Sequence, residues 1–368
     1  MHLPLMPLNR QEISGAPQAP SRLSLLKDFG SNPGRLNAWT FVPRPIAAGE
    51  AIPLVVVLHG CTQSAAGYDR GSGWSELAAV YGFAVLFPEQ QMSNNANLCF
   101  NWFEPGDTRR DAGEPLSIAQ MVESMIQSHG IDRHRVFITG LSAGGAMTSV
   151  MLAIYPNLFT AGAILAGLPH GAAESVQEAF KQMRSPSPSP RTSGASIRRA
   201  SRHSGLWPAV SIWHGTADSV VSPSNADAIA KQWKEVHGIS DAEPHEDLVE
   251  GHPRRVWQNA DGKVLVEEYR VTGMGHGAPL ATNGECGCGE AGAFMLEVGI
   301  SSTIHSAKSW GLLKRRRRTV QQGEPAARSE AAQTSSAQDR LGSAPILSTN
   351  NGITEIIESA LRRAGLMK

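Results

Sequence analysis

The sequence predicts an α/β fold with a mostly parallel central sheet and helices on both of its faces. Strand and helix patterns alternate from about residue 51 to residue 313, the strands are continuous apolar runs, and one serine stands at a sharp turn between a strand and a helix. Continuous apolar runs are typical of parallel strands buried on both faces. A chain of 368 residues with 41% hydrophobic content can build one large core of this kind.

Six segments are predicted to be the strands of this sheet: five continuous apolar runs and a sixth segment that is expected to be the last strand. They are residues 54–58, 83–87, 136–139, 161–165, 210–213 and 264–271. The sequence Asn-Ala-Asp-Gly at residues 259–262 predicts a hairpin turn ahead of the sixth strand.

Apolar residues at helical spacing predict three helices between these strands. They cover residues 118–126, with Ser117 as the N-cap, residues 147–154, and residues 226–233. The apolar stripes are interpreted as core faces.

The predicted domain spans residues 39–313, after an N-terminal extension at residues 1–38. Within it, residues 184–206 form an insertion rich in Ser, Pro and Arg, for which a surface loop is favoured over part of a lid. A basic and polar linker at residues 314–351 then leads to a short amphipathic helix at residues 352–368.

The charge balance and hydropathy weigh against two classes of partner. Lys and Arg together number 33, as do Asp and Glu, so no nucleic-acid partner is expected, and the basic run at residues 314–318 is interpreted as a solvated linker end. No apolar run approaches the roughly 20 residues needed to span a bilayer. The prolines of the first 26 residues do not fit a secretory signal.

The four cysteines are too few for a disulfide scaffold, and a cytoplasmic localisation is therefore favoured. Cys61 and Cys99 both follow predicted strands and could meet, but the sequence leaves their pairing open. Cys286 and Cys288 have no second pair at zinc-ligand spacing, so thiols are expected there, with no metal and no cofactor. The oligomeric state is not determined by these patterns.

The strongest chemical signal is Ser142, in the sequence Gly-Leu-Ser-Ala-Gly at residues 140–144. A strand before this pentapeptide and a helix after it are typical of a nucleophile elbow, a turn that exposes the serine Oγ at the edge of the sheet. The flanking glycines are needed because a Cβ there would collide with neighbouring backbone. Ser142 is therefore the predicted nucleophile.

A nucleophilic serine needs a histidine as base and a carboxylate to orient that histidine, and on this kind of fold they follow in the order serine, acid, histidine. Asp218 follows the fifth strand in a tight turn and is the favoured acid, with Asp227 in reserve on the next helix. His276 lies in a glycine-flanked loop after the sixth strand and is the favoured base.

Acyl transfer also requires backbone N–H groups for the oxyanion. Ala143, directly after the nucleophile, is predicted to supply one. The loop after the first strand is predicted to supply the other, from Cys61 or alternatively from Thr62, whereas His59 in the same loop is interpreted as structural.

Five motifs in order resemble the polyhydroxybutyrate (PHB) depolymerase family of esterases. They are His-Gly-Cys-Thr-Gln at 59–63, Cys-Phe-Asn-Trp-Phe at 99–103, Gly-Leu-Ser-Ala-Gly-Gly-Ala-Met at 140–147, His-Gly-Thr-Ala-Asp at 214–218 and Gly-Met-Gly-His at 273–276. The resemblance covers residues 39–313. It implies an α/β-hydrolase fold and a serine esterase with the triad Ser142, Asp218 and His276.

The substrate implied by this resemblance is a hydroxyalkanoate oligomer, a polyester or a short acyl ester, and feruloyl or acetylxylan esters are alternatives. Many family members carry a signal peptide and a polymer-binding domain, which this sequence does not show, so crystalline polymer is not expected to be the substrate. Trp102 and Phe103 are expected either to line a substrate pocket or to pack in the core. A non-catalytic binding protein and a peptidase are more distant alternatives.

Overall fold

The computed structural model describes residues 21–43, 49, 51–283 and 287–313, and a ten-stranded sheet runs through them. Its strands are β1 (Ser24–Leu25), β2 (Asn37–Phe41), β3 (Ile52–Leu58), β4 (Ala84–Glu89), β5 (Ile131–Leu141), β6 (Ala161–Leu165), β7 (Ala209–Gly215), β8 (His245–Val249), β9 (His252–Gln258) and β10 (Val264–Val271). The predicted linker at 314–351 and the predicted helix at 352–368 lie outside the described residues.

The sheet order is β1-β2-β4-β3-β5-β6-β7-β10-β9-β8. All pairings from β4 through β3, β5, β6 and β7 to β10 are parallel, whereas the pairings at both edges are antiparallel. This confirms the predicted mostly parallel sheet. The carboxyl ends of β3, β5, β7 and β10 consequently lie at the same edge, where open α/β sheets bind ligands.

All six predicted strands are present, and the apolar runs of the first five are buried in the sheet. β3, for example, is buried at every one of its seven positions. The hairpin turn at 259–262 is also confirmed, since β9 and β10 pair antiparallel across it and the N–H of Asn259 donates to the carbonyl of Lys263. β10 is not the last strand: β11 (Ala278–Leu280) and β12 (Met295–Glu297) follow it and form a small parallel sheet.

Eight α-helices connect the strands within the described residues. They are α1 (Ala65–Ser72), α2 (Trp74–Tyr81), α3 (Gly113–His129), α4 (Ala143–Ile154), α5 (Val176–Arg184), α6 (Gly194–Ser201), α7 (Ser224–His237) and α8 (Ser302–Ser309). None of the helices described is long and apolar enough to cross a membrane.

The prediction that Ser117 caps α3 is wrong, because this helix begins four residues earlier. The Oδ1 atom of Asp107, on the preceding turn, accepts the N–H of Glu114 at 2.7 Å and takes the place of an N-cap side chain. Ser117 is buried within the helix, where its Oγ accepts the N–H of Gly34 at 2.8 Å.

The predicted start of the domain at residue 39 is too late. β2 begins at residue 37, and β1 pairs with it in register from residue 24. Leu36 and Ala38 belong to the core, so residues 21–38 are part of the domain rather than an extension of it.

The insertion at residues 184–206 is not the surface loop that its composition suggested. It holds a short 3-10 turn (Pro190–Thr192) and α6, whose Ile197 is fully buried in the core. The Oγ of Ser193 caps α6 by accepting the N–H of Ser196, so a serine in this insertion begins a helix. α6 is joined to α7 by a 2.7 Å hydrogen bond from the N–H of Gly194 to Glu235.

Helices cover both faces of the sheet, as predicted. Side chains of α3, α4, α6 and α7 form one core cluster, and those of α1, α2 and α8 form the other. With both faces closed, the loops at the carboxyl edge of the sheet remain for a functional site.

Candidate active site

Ser142 forms the turn between β5 and α4, in a backbone conformation with φ 58° and ψ −116°. Its N–H donates to the carbonyl of Leu165 on β6 at 2.9 Å, which fixes the turn to the sheet. A Cβ on Gly144 would lie 2.4 Å from the carbonyl oxygen of Leu58, and a Cβ on Gly140 would lie 2.3 Å from that of Gly144. Close backbone contact therefore explains both glycines, and the turn has the geometry expected of a nucleophile elbow.

The structure brings the three predicted triad residues together in one hydrogen-bonded chain. The Oγ of Ser142 lies 2.9 Å from Nε2 of His276, and Nδ1 of His276 lies 2.8 Å from Oδ2 of Asp218. Asp227, the reserve acid, lies elsewhere: it forms ion pairs with Arg255 and Arg270 at 2.8 and 2.6 Å.

The loops after β7 and β10 bring the acid and the base together. A Cβ on Gly215 would lie 2.2 Å from the carbonyl oxygen of Met274, so only glycine allows this approach. The N–H of Ala217 donates to the same carbonyl at 3.0 Å. This contact positions Asp218 beside His276.

The carboxylate of Asp218 is fully buried and accepts hydrogen bonds on both oxygens. Oδ1 accepts the N–H groups of Val220 and Val221 at 2.9 Å each, and Oδ2 faces His276 and also Nε2 of His214 at 3.3 Å. Burial pushes the pKa of Asp218 up, but His276 and His214 outweigh it and hold the pKa well below its usual range. The group is therefore a carboxylate at neutral pH.

His214 is a contact of the acid that the sequence patterns did not single out. It is fully buried, and its Nε2 also lies 2.9 Å from the carbonyl oxygen of Val221. Its place four residues before Asp218 was the available signal, since the turn after β7 folds the chain back on itself.

The N–H groups predicted for an oxyanion lie at the carboxyl ends of β3 and β5. Ala143 is the first residue of α4, where the N–H has no partner within the helix. The N–H of Thr62 donates to the carbonyl of Asn97 at 2.7 Å, whereas the N–H of Cys61 has no acceptor among the described residues. Cys61 is thus the available donor of the two alternatives.

His59 has the structural place expected of it. The imidazole is buried, with Nδ1 2.7 Å from the carbonyl oxygen of Gly60 and Nε2 accepting the N–H of Gln90 at 3.1 Å. Burial lowers the pKa of His59, so the ring is neutral and free to accept from Gln90.

Cys61 and Cys99, whose pairing the sequence left open, form a disulfide that joins the loops after β3 and β4. Cys288 is buried, with its Sγ 3.9 Å from the carbonyl oxygen of Ser72, and Cys286 lies outside the described residues. Within the described ranges, no three His, Cys, Asp or Glu side chains are grouped to hold a metal ion.

A cavity of about 480 Å³ borders Ser142 and His276. Trp102 and Phe103 both line it, with their rings in edge contact at 5.4 Å between centroids, and Trp102 is at the same time part of the core. Aromatic walls of this kind suit an apolar part of a ligand.

One helix forms a wall of this cavity that the sequence patterns did not predict. The wall is the apolar face of α5, made of Val176, Ala179, Phe180 and Met183. Their i, i+3, i+4, i+7 spacing was the available signal for this helix. Another part of the cavity is polar and carries the amide side chains of Gln63, Asn94, Asn95, Asn97 and Asn101.

Comparisons with known proteins agree on one class of enzyme. The family model described as "Esterase PHB depolymerase" matches residues 37–252. Poly(3-hydroxyalkanoate) depolymerase C from Paucimonas lemoignei is 45% identical over 79% of this chain and 70% of its own length. Acetylxylan esterase A from Emericella nidulans is 35% identical over 70% of this chain and 85% of its own length.

The solved structure of acetyl xylan esterase from Aspergillus awamori superposes with a TM-score of 0.65 at 27% identity. The match covers 79% of this chain and 99% of that one. Together with the sheet order, this likeness confirms the predicted α/β-hydrolase fold.

Proposed function

This chain belongs to the PHB depolymerase family of esterases, and we propose that it hydrolyses carboxylic esters through an acyl-enzyme on Ser142. The observation that carries this proposal is the hydrogen-bonded chain from Ser142 through His276 to Asp218 beside a cavity. A serine, an imidazole and a buried carboxylate in this order are the elements that nucleophilic acyl transfer requires.

The first half-reaction forms the acyl-enzyme. The Oγ of Ser142 attacks the ester carbonyl carbon while Nε2 of His276 accepts the hydroxyl proton. The oxyanion that forms receives hydrogen bonds from the N–H groups of Cys61 and Ala143. As the tetrahedral intermediate collapses, the carbon–oxygen bond to the alcohol breaks, and the alcohol leaves with the proton from His276.

The second half-reaction releases the acid. A water molecule attacks the acyl carbon with His276 as base, the bond to Oγ breaks, and Oγ takes the proton back. Throughout, Asp218 accepts the hydrogen bond from Nδ1 of His276. That bond keeps Nε2 available to Ser142 and stabilises the imidazolium form.

The favoured substrates are hydroxyalkanoate oligomers, polyester or short acyl esters. The name of the Paucimonas lemoignei relative supports the first two, and a cavity of about 480 Å³ has room for a small acyl group or a short oligomer segment. Feruloyl and acetylxylan esters are the second candidate, supported by relatives named as such esterases.

The test is hydrolysis of short acyl nitrophenyl esters by the purified protein. We expect Ser142→Ala to lower kcat/KM by about 10⁴- to 10⁶-fold. Ser149→Ala is the matched control, because Ser149 is a buried serine on α4 whose hydroxyl has no hydrogen-bond partner among the described residues. Unchanged turnover by Ser142→Ala would reject the acyl-enzyme, and turnover of amides in place of esters would indicate the peptidase alternative.

A panel of hydroxybutyrate oligomers, methyl ferulate and acetylated xylan then ranks the substrate classes. We expect the highest kcat/KM on the hydroxybutyrate oligomers. A preference for the ferulate or the xylan by more than tenfold would favour the second candidate.

A further inference from the structure

We propose that the side-chain amide of Asn101 binds an oxygen atom of the substrate beside the scissile ester. This inference rests on the proposed function at Ser142 and adds a specificity residue to it. Asn101 lines the same cavity as Ser142, and only 7% of its surface is exposed.

Three of the four polar groups of Asn101 are already hydrogen-bonded within the protein. Its N–H donates to Oε2 of Glu114 at 2.9 Å, its carbonyl accepts the N–H of Glu104 at 3.0 Å, and its Oδ1 accepts from Nδ2 of Asn95 at 2.8 Å. The remaining group, Nδ2, has no acceptor among the described residues.

The orientation of the Asn101 amide follows from the contacts of its neighbour. Oδ1 of Asn95 accepts the N–H groups of Asn97 and Cys99, at 3.0 and 3.3 Å, so the other terminal atom of Asn95 must be its NH₂ group. That NH₂ group can donate only to an oxygen, which fixes Oδ1 of Asn101 toward Asn95 and leaves Nδ2 as the other terminal atom.

The buried carboxyl group of Glu114 also holds Asn101 in place. Glu114 is fully buried, and its carboxyl group takes hydrogen bonds from Gln90 at 2.6 Å and from Asn94 at 3.2 Å as well as from Asn101. A group positioned by this many buried contacts loses little conformational entropy when it binds a ligand.

This amide donor belongs to a residue that lines the cavity, and an ester substrate brings oxygen acceptors into the cavity. The oxygen could belong to a hydroxyl group on the acyl portion or to an ester carbonyl on the alcohol portion. A hydroxyalkanoate oligomer carries both, whereas a simple alkanoate ester carries neither. The amide is therefore expected to favour an ester that carries the oxygen it binds over an ester that lacks this oxygen.

Two pairs of esters distinguish an oxygen on the acyl portion from an oxygen on the alcohol portion. The nitrophenyl esters of 3-hydroxybutyrate and butyrate differ only in the acyl hydroxyl. Methyl 3-acetoxybutyrate and sec-hexyl acetate, followed by acetate release, carry a methyl ester group or a propyl group at the same place in the alcohol portion. The measured quantity is the ratio of kcat/KM within each pair, which does not depend on the fraction of folded enzyme.

The variants are Asn101→Asp, which keeps an acceptor for Asn95 but removes the donor, and Asn101→Leu, which removes both. We expect both variants to lower the ratio of one pair by about 3- to 10-fold, the loss of one hydrogen bond, and to leave the other ratio unchanged. Asn157→Asp is the matched control, because Asn157 is exposed beyond the far end of α4.

If both ratios stay at the wild-type values in both variants, so that any fall in kcat/KM is equal on the two members of each pair, the amide does not recognise substrate and the proposal fails. Failure of the proposed function has a different result, since Ser142→Ala would then retain turnover of all four esters.

Discussion

Asp218 shows how single atoms set the chemistry of this site. Its Oδ1 is held by the N–H groups of Val220 and Val221, so Oδ2 is the oxygen that faces His276. An amide at this position must keep its oxygen toward the two N–H groups and turn its NH₂ group toward the imidazole. Nδ1 of His276 would then accept a hydrogen bond from this NH₂ group, and Nε2 would carry the ring proton.

The prediction from this geometry is that Asp218→Asn disables the base, since a protonated Nε2 cannot accept the proton of Ser142. We expect kcat to fall by about 10⁴-fold with little change in fold. Ester hydrolysis and circular dichroism check the two parts. Asp227→Asn is the matched control, and an equal loss of kcat in both variants would contradict the assignment of Asp218.

The raised pKa of Glu114 leads us to predict that the stability of the protein depends on pH. Burial raises the pKa of Glu114 to about 8 from 4.5, against the hydrogen bonds from Asn101, Gln90 and Asn94 that lower it. Between these two pH values the folded state holds a proton that the unfolded state has lost. This contribution to the free energy of unfolding is fully present below pH 4.5 and is lost as the pH rises through about 8.

Glutamine does not titrate, so we expect Glu114→Gln to remove this decrease in the free energy of unfolding, which is on the order of a few kcal/mol. Urea unfolding at pH 5 and pH 8 measures the difference for each protein. Glu123→Gln is the control on the same helix, since Glu123 pairs with Arg133 at the surface. A wild-type protein that gains stability relative to Glu114→Gln over this range would contradict the direction of the shift.

The turn from β5 to α4 depends on close backbone contacts that only glycine permits. We predict that Gly144→Ala destabilises the protein by about 1–3 kcal/mol or more and lowers kcat, because a Cβ would overlap the carbonyl groups of Leu58 and His59 and displace the turn. Gly106→Ala is the control, since its Cβ would meet nothing within 4 Å. Urea unfolding and ester hydrolysis measure both effects, and equal stability of the two variants would contradict this account.

The central elements were predictable because their signal is local. The first five predicted strands are continuous apolar runs, and the parallel sheet buries such runs on both of its faces. The start of α3 was not predictable, since its cap comes from Asp107, on a turn that the helical spacing does not include. The insertion at 184–206 was misjudged because serine and proline favour both loops and the first turns of helices.

Some residues of the site were also predictable from local sequence, and others were not. Ser142, Asp218 and His276 each follow a strand within a short motif, and parallel strands bring such motifs to one edge. The apolar spacing of α5 predicts a helix but does not distinguish a core face from a cavity wall. The binding group proposed at Asn101 depends on Asn95 and Glu114, whose contacts exist only in the folded chain.

The Cys61–Cys99 disulfide closes a segment with a sequence separation of 38 and holds the loop that carries the proposed oxyanion donor. Loop-closure entropy for this separation corresponds to about 4 kcal/mol of stability. We predict that the Cys61→Ser and Cys99→Ser double variant unfolds at lower urea and has lower kcat.

The control for the disulfide prediction is reductant, which should lower wild-type stability toward that of the double variant and leave the double variant unchanged. Equal stability of the two oxidised proteins would contradict it. Disulfides persist in oxidising compartments, which weighs against the cytoplasmic localisation favoured by the cysteine count. That localisation stays a prediction.

Labelling with diethyl p-nitrophenyl phosphate tests whether Ser142 is the nucleophile that becomes covalently modified. We predict one diethylphosphoryl adduct by intact-protein mass spectrometry, located by peptide mapping to Ser142, absent in Ser142→Ala and formed more slowly in Asp218→Asn. An unlabelled Ser142 in a preparation that hydrolyses esters, or an adduct that maps to another serine, would contradict the account.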